Sequence, residues 1–162
     1  MATRFTGVPF SAEPPASNSA ALLRSNERPV LAFDATTDET TRWTFIAPAG
    51  LTGAITLVVT YIMASATTGS VRFQAQLEAV TDGDSTDLDA GTSFDTANSA
   101  GATVPGTAGF IDQLSITMTN ADSMAAADYV RLSLNRDADG TSGTDDAAGD
   151  CYVLAVELRD AA

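Results

Sequence analysis

Between Leu51 and Val80 the chain spells out two strands in succession, and the two obey different rules. In the second, Val71, Phe73, Ala75, Leu77 and Ala79 alternate without a break with Arg72, Gln74, Gln76 and Glu78. A period of two places these sets on opposite faces of a pleated sheet, one covered and one wet. In the first, Ile55, Leu57, Val59, Tyr61 and Met63 share one parity, but Val58 and Ile62 interrupt the threonines on the other. A strand that is apolar on both sides predicts packing on both sides. Val58 and Ile62 are therefore expected to meet something beyond the core, whether the N-terminal arm, a covering loop or a neighbouring subunit. A turn around Ser65 to Ser70 joins the two strands.

The same reading finds further strands at Pro29–Asp34, Arg42–Ala47, Gln113–Thr119, Tyr129–Asn135 and Cys151–Arg159, with a weak one near Thr92–Asp95. In the last of the five, Tyr152, Leu154, Val156 and Leu158 share one parity, which puts Cys151 on the outward side as a small packed residue. Ala121–Asp128 reads as a loop turn, so no helix of ordinary length remains. Eight short strands with recurrent turn-rich loops predict an all-β fold, an eight-stranded antiparallel jelly-roll sandwich over residues 28–162. An immunoglobulin-like sandwich is the runner-up, without the internal cysteine pair of antibody domains. Residues 1–27 differ: they hold three of the six prolines and two isolated aromatics with no sustained period. They read as an extended N-terminal arm with one helical turn around Ala20 to Arg24. Two alternatives stay open, a frayed leader or an arm whose Phe5, Val8 and Phe10 dock on a neighbouring subunit.

Charge and missing residue types exclude much chemistry. The eight basic residues are all arginine, against 21 acids, for a net charge of -13. Such a balance has no basic footprint for nucleic acid, and it favours solubility and a saline setting. Histidine is absent and Cys151 is the single cysteine, which removes Ser-His, Cys-His and His-zinc arrangements and any intrachain disulfide. No apolar run approaches the roughly 20 residues of a membrane helix, and the first residues lack the apolar stretch of a secretory signal. The expectation is a soluble chain made in the cytosol, with no cofactor, no membrane partner and no enzymatic activity.

Acidic loops supply the remaining candidate sites. Asp82, Asp84 and Asp87 fall in one loop and Asp137 and Asp139 in another, and clustered oxygen ligands are what calcium requires. Neither spacing matches an EF-hand, and solvated turns that satisfy their own backbone give the same composition. The acids stand apart from the single tryptophan, which speaks against a glycosidase pair. Arg136 continues the inward parity of Val130, Leu132 and Leu134, so its charge needs a partner at the end of the core. Asp137 or Asp150 is expected to complete a loop-bracing ion pair. The outward positions Arg72, Gln74, Gln76 and Glu78, Gln113, Ser115, Thr117 and Thr119, Arg131, Ser133 and Asn135, and Val153, Ala155 and Glu157 are short of acids for a chain of this charge. Such faces suit contact with another protein or with plain solvent.

The runs Trp43–Phe45, Ala64–Phe73, Asp82–Ser85, Phe110–Thr119, Val130–Asp137 and Gly149–Leu154 resemble small virion structural proteins of tailed bacteriophages. The resemblance implies a non-enzymatic jelly-roll module, with no catalytic residues to carry over. It implies a capsid decoration protein, a homo-oligomer and in that family's manner a trimer, bound to the major capsid protein or other virion proteins on the capsid surface. A tail, neck or fibre component is the nearest alternative. A carbohydrate-binding jelly roll is the alternative from another class; it needs exposed aromatics near the loops, where Phe94 and Phe110 are available.

Overall fold

The computed structural model describes residues 1–51 and 54–160; Thr52 and Gly53 of the opening stretch, with Ala161 and Ala162, lie outside the described residues. Ten strands follow one another: β1 (Ala2–Gly7), β2 (Ala21–Ser25), β3 (Arg28–Phe33), β4 (Glu39–Ile46), β5 (Ile55–Met63), β6 (Ser70–Val80), β7 (Asn98–Thr103), β8 (Asp112–Met118), β9 (Tyr129–Arg136) and β10 (Cys151–Asp160). One helical turn, Pro9–Ser11, is the sole helix among the described residues. Sheet A has the order β2-β3-β10-β5-β8, with β1 also on β10, and sheet B the order β4-β9-β6-β7. All strand pairs are antiparallel.

From β3 onward the strands divide between the sheets in the jelly-roll order, β3-β10-β5-β8 facing β4-β9-β6-β7. The expected eight strands are these; the other two come from the N-terminal segment. The fifth strand lies at Asn98–Thr103 rather than near Thr92–Asp95. Its sequence of small residues carries no alternation, so pairing with β6 defines it, not pattern. The two strands of the opening stretch do not pair with each other. β5 lies in sheet A between β10 and β8, and β6 in sheet B between β9 and β7. Their connection crosses from one sheet to the other and ends at Gly69, where φ is +91° and a Cβ would stand 2.9 Å from the Ala147 backbone.

The inward parities meet between the sheets. Phe33 of sheet A meets Phe73 of sheet B edge-on at 5.4 Å, with Trp43, Tyr61, Leu57, Leu77 and Leu132 fully buried around them. Each such side chain contributes about 1.5–3 kcal/mol of burial. In β10 the parity changes midway, because the register on β5 shifts between Val153 and Ala155. Cys151 and Val153 face the core ahead of this bulge, and Val156 and Leu158 after it. Cys151 is thus buried rather than outward, and burial pushes its thiol pKa up, away from nucleophilic use.

The N-terminal arm is built into its own sandwich. β1 pairs with the second half of β10, from Ala2 opposite Asp160 to Gly7 opposite Val156. Phe5 stacks on Phe45 of β4 with ring centroids 4.0 Å apart, and Trp43 Nε1 donates to the Val8 carbonyl at 3.1 Å. The chain next covers the open edge of β4: Glu13 and Arg42 exchange backbone hydrogen bonds, and Thr40 bonds Asn18 and Ala20. Covering an edge in this way removes a template for unwanted pairing. Residues 21–25 are a strand, not the expected helical turn. They return as β3 through a two-residue turn in which Asn26 (φ 45°) and Glu27 (φ 67°) are both left-handed, the geometry that matches hairpin twist.

Candidate functional site

Sheet B turns a nine-residue grid outward. The register aligns Thr40, Asn135 and Gln74 in one row, Arg42, Ser133 and Gln76 in the next, and Thr44, Arg131 and Glu78 in the third. Alternation dictates this content, since the opposite parity of each strand fills the core. The loop after β6 folds back along the grid. Asp95 N donates to Leu77 O at 2.9 Å, and Gln76 Nε2 donates to Asp95 O at 2.9 Å. Ser93 donates to Glu78 through both its N–H and its hydroxyl. These bonds hold Phe94 over the sheet, half-buried, with the Arg42 and Arg131 guanidinium carbons 5.3 and 5.4 Å from its ring centre. Both lie within cation–π range.

The electrostatics of the grid are self-balanced on one side only. Glu78 is fully buried and receives Arg131 Nη1 at 3.2 Å. Among the described residues Arg42 has no such partner, and its Nε is buried without a hydrogen-bond acceptor. The result is an aromatic ring in contact with two guanidinium groups, beside a floor of amides and hydroxyls. That arrangement offers stacking surface and planar hydrogen-bond donors. Sequence groups these outward positions as acid-poor, but it does not connect Phe94 with Arg42 and Arg131, because the connection depends on a loop path that no periodicity records.

The candidate calcium residues separate. Asp82, Asp84 and Asp87 lie in an exposed loop, where Asp84 accepts Thr81 N and Asp87 accepts Asp89 N. Asp137 and Asp139 come together with Asp38, their carboxylate oxygens all within 4.8 Å of one another. Asp137 already accepts the N–H and hydroxyl groups of Thr141 and Ser142. Burial works to raise its pKa, but the hydrogen bonds from Ser142 and Thr141 outweigh that and hold it below the ordinary carboxylate value. The three acids could supply oxygen ligands, and in this structure they serve as loop acceptors. Asp38 carries no signal in the sequence for this cluster, since it approaches only through the fold.

Arg136 is fully buried as its parity requires, but its partner is Asp145 rather than Asp137 or Asp150. The guanidinium donates to both Asp145 oxygens, at 3.1 and 2.8 Å, and to the carbonyls of Phe33, Ala147 and Gly149. Asp137 is committed to Thr141 and Ser142, and the Asp150 backbone carbonyl accepts Ala64 N. Of the residues expected to contact a neighbour, Phe5 is taken up by Phe45 within its own chain, and Val8 and Phe10 stay exposed. Val58 and Ile62 occupy the outer face of sheet A. Val58 is 3% exposed, and Ile62 lines a hollow of about 390 Å³ with Val30, Leu154 and Ile111. Phe110 is exposed beside this hollow, preceding β8, so Phe94 and Phe110 belong to different sheets and form no common platform.

No protein-family model and no curated protein sequence matches the chain. Solved structures similar to it include a xylan-binding module, CBM15, with 13% identity over 98% of this chain and 99% of that one and a TM-score of 0.46. A mannan-recognising carbohydrate-binding module, TmCBM27, has 12% identity over 99% and 90% of the two chains and a TM-score of 0.42. The CBM22-1 xylan-binding domain from Paenibacillus barcinonensis has 11% identity over 97% and 87%, with a TM-score of 0.41.

Proposed function

We propose that the chain is a non-catalytic binding module whose sheet B face takes a carbohydrate chain. One observation carries this reading: Phe94 is fixed over sheet B, within cation–π distance of both Arg42 and Arg131, beside rows of amide and hydroxyl side chains. The C–H faces of a sugar pack on an aromatic ring, and its hydroxyls match the amide and hydroxyl groups that Gln74, Gln76 and Asn135 and Thr40 and Thr44 hold on this face. With TM-scores below 0.5, the likenesses above add only the choice of first ligands, since the named modules bind xylan and mannan. Electrophoresis through gels containing xylan, mannan or β-1,4-galactan tests it. Retardation in at least one gel, lost in Phe94→Ala and weakened in Arg42→Ala, is the expected outcome. Unchanged migration in every gel contradicts it.

A second reading, a virion structural module that assembles on a capsid or tail, is favoured by a different observation. Sheet A is apolar on its outer side as well as its inner one, at Val30, Val58, Ile62 and Leu154. Co-sedimentation with purified capsids, with no glycan binding, would select this reading over the first.

A further inference from the structure

We propose that the outer face of sheet A is a self-association surface, in which Phe110 and Ile111 of one copy seat in the hollow of a second copy. Phe110 and Ile111 are 63% and 68% exposed, a large apolar exposure for adjacent residues on an acidic chain. Ile111 lines the hollow together with Val30, Ile62 and Leu154. Projection and hollow therefore lie side by side on one patch, the arrangement that a self-complementary interface requires.

Charge selects a copy of the chain as the occupant. Two molecules of net charge -13 repel one another, so they can meet only through a region clear of acids. No lining residue of the hollow is acidic, and its one charge is Arg28. On the adjacent β2–β3 hairpin Glu27 stands between Arg24 and Arg28. The nearest acid on β8, Asp112, accepts the Tyr61 hydroxyl at 2.9 Å and so is engaged within its own chain. With Arg24 and Arg28 against Glu27 and Asp112 the rim is charge-balanced on a strongly acidic molecule, and each copy's Glu27 can face the other's Arg24 and Arg28.

This inference is independent of the carbohydrate reading, because the two faces belong to different sheets. The test is sedimentation equilibrium of the full chain over micromolar concentrations, for wild type, Ile111→Asp, Phe110→Asp and Phe94→Ala. Wild type should have a mass of two or more chains. Ile111→Asp should raise the dissociation constant at least about tenfold, as expected for loss of an apolar anchor, with an unchanged circular dichroism spectrum because the residue is exposed. Phe94→Ala should keep the wild-type mass, and added salt should strengthen association by screening net charge. A monomeric wild type at all concentrations overturns the proposal. So does an oligomer whose mass survives both Ile111→Asp and Phe110→Asp.

Discussion

Arg136 shows what a single inward charge demands. It is fully buried, and two of its five donor contacts go to Asp145, whose side chain is also inaccessible. Asp145→Asn leaves that charge without its counter-ion, and a urea titration should record a loss of about 3–5 kcal/mol. Replacing both partners, Arg136→Met with Asp145→Leu, should cost less than the single change, since no uncompensated charge remains. Acid sensitivity follows from Asp137 and Asp34, whose pKa values are held down, in Asp137 by Ser142 and Thr141 against burial and in Asp34 chiefly by the Thr36 hydroxyl. A depressed carboxylate stabilises the fold above its unfolded value of about 3.9 and loses that contribution as pH falls through the folded one. Glu39 is raised, mainly by burial, so its contribution has the opposite sign and is lost as pH rises. Urea midpoints measured in high salt should therefore fall below about pH 4, and Asp137→Asn should flatten that fall while lowering the midpoint at neutral pH. At this scale the inward position of Arg136 is legible from parity alone. Its partner is not, because the aspartates of one loop are equivalent until the backbone path is known.

The elements carry the difference between pattern and pairing. β6 and β9 alternate strictly, and their periodicity locates both to within a residue or two. β10 alternates only in halves, and the bulge between Val153 and Ala155 reverses the sides expected for Cys151, Tyr152 and Leu154. A bulge costs one residue of register and leaves no compositional mark. β1 is legible as extended chain but not as a strand of the sandwich, because its partner lies at the far end of the sequence, and β2 reads as a helical turn, because its hairpin closes through a Ser-Asn-Glu-Arg turn that lacks glycine. The arm should consequently matter to folding. Removing residues 1–12 uncovers Phe45 and takes the acceptor from Trp43 Nε1, and the loss should reach about 3 kcal/mol or more from burial and backbone pairing together. An unchanged urea midpoint would show that β1 contributes nothing. Gly7→Ala is a finer probe: its Cβ would stand 2.8 Å from Val156 and 2.9 Å from the Trp43 ring, and overpacking of this kind costs about 1–3 kcal/mol.

Across the whole molecule most acids are gathered in loops; the outer face of sheet B is polar with Phe94 lying over it, and that of sheet A sets apolar residues, Val30, Val58, Ile62 and Leu154, beside polar ones such as Gln113 and Ser115. The two-sided character of Ile55–Met63 is legible in its residue types, and it corresponds to the outer side of sheet A, apolar at Val58 and Ile62. The sheet B face is legible only as a set of acid-poor positions, since its focus, Phe94, arrives from a loop. The most direct measurement of the central claim is the NMR amide map of the labelled chain titrated with xylo- and manno-oligosaccharides. Shifts confined to residues around Arg42, Gln76, Phe94, Arg131 and Ser133, absent in Phe94→Ala, are predicted. Saturating shifts centred on Ile62, Ile111 and Leu154, or none with any oligosaccharide, would contradict it.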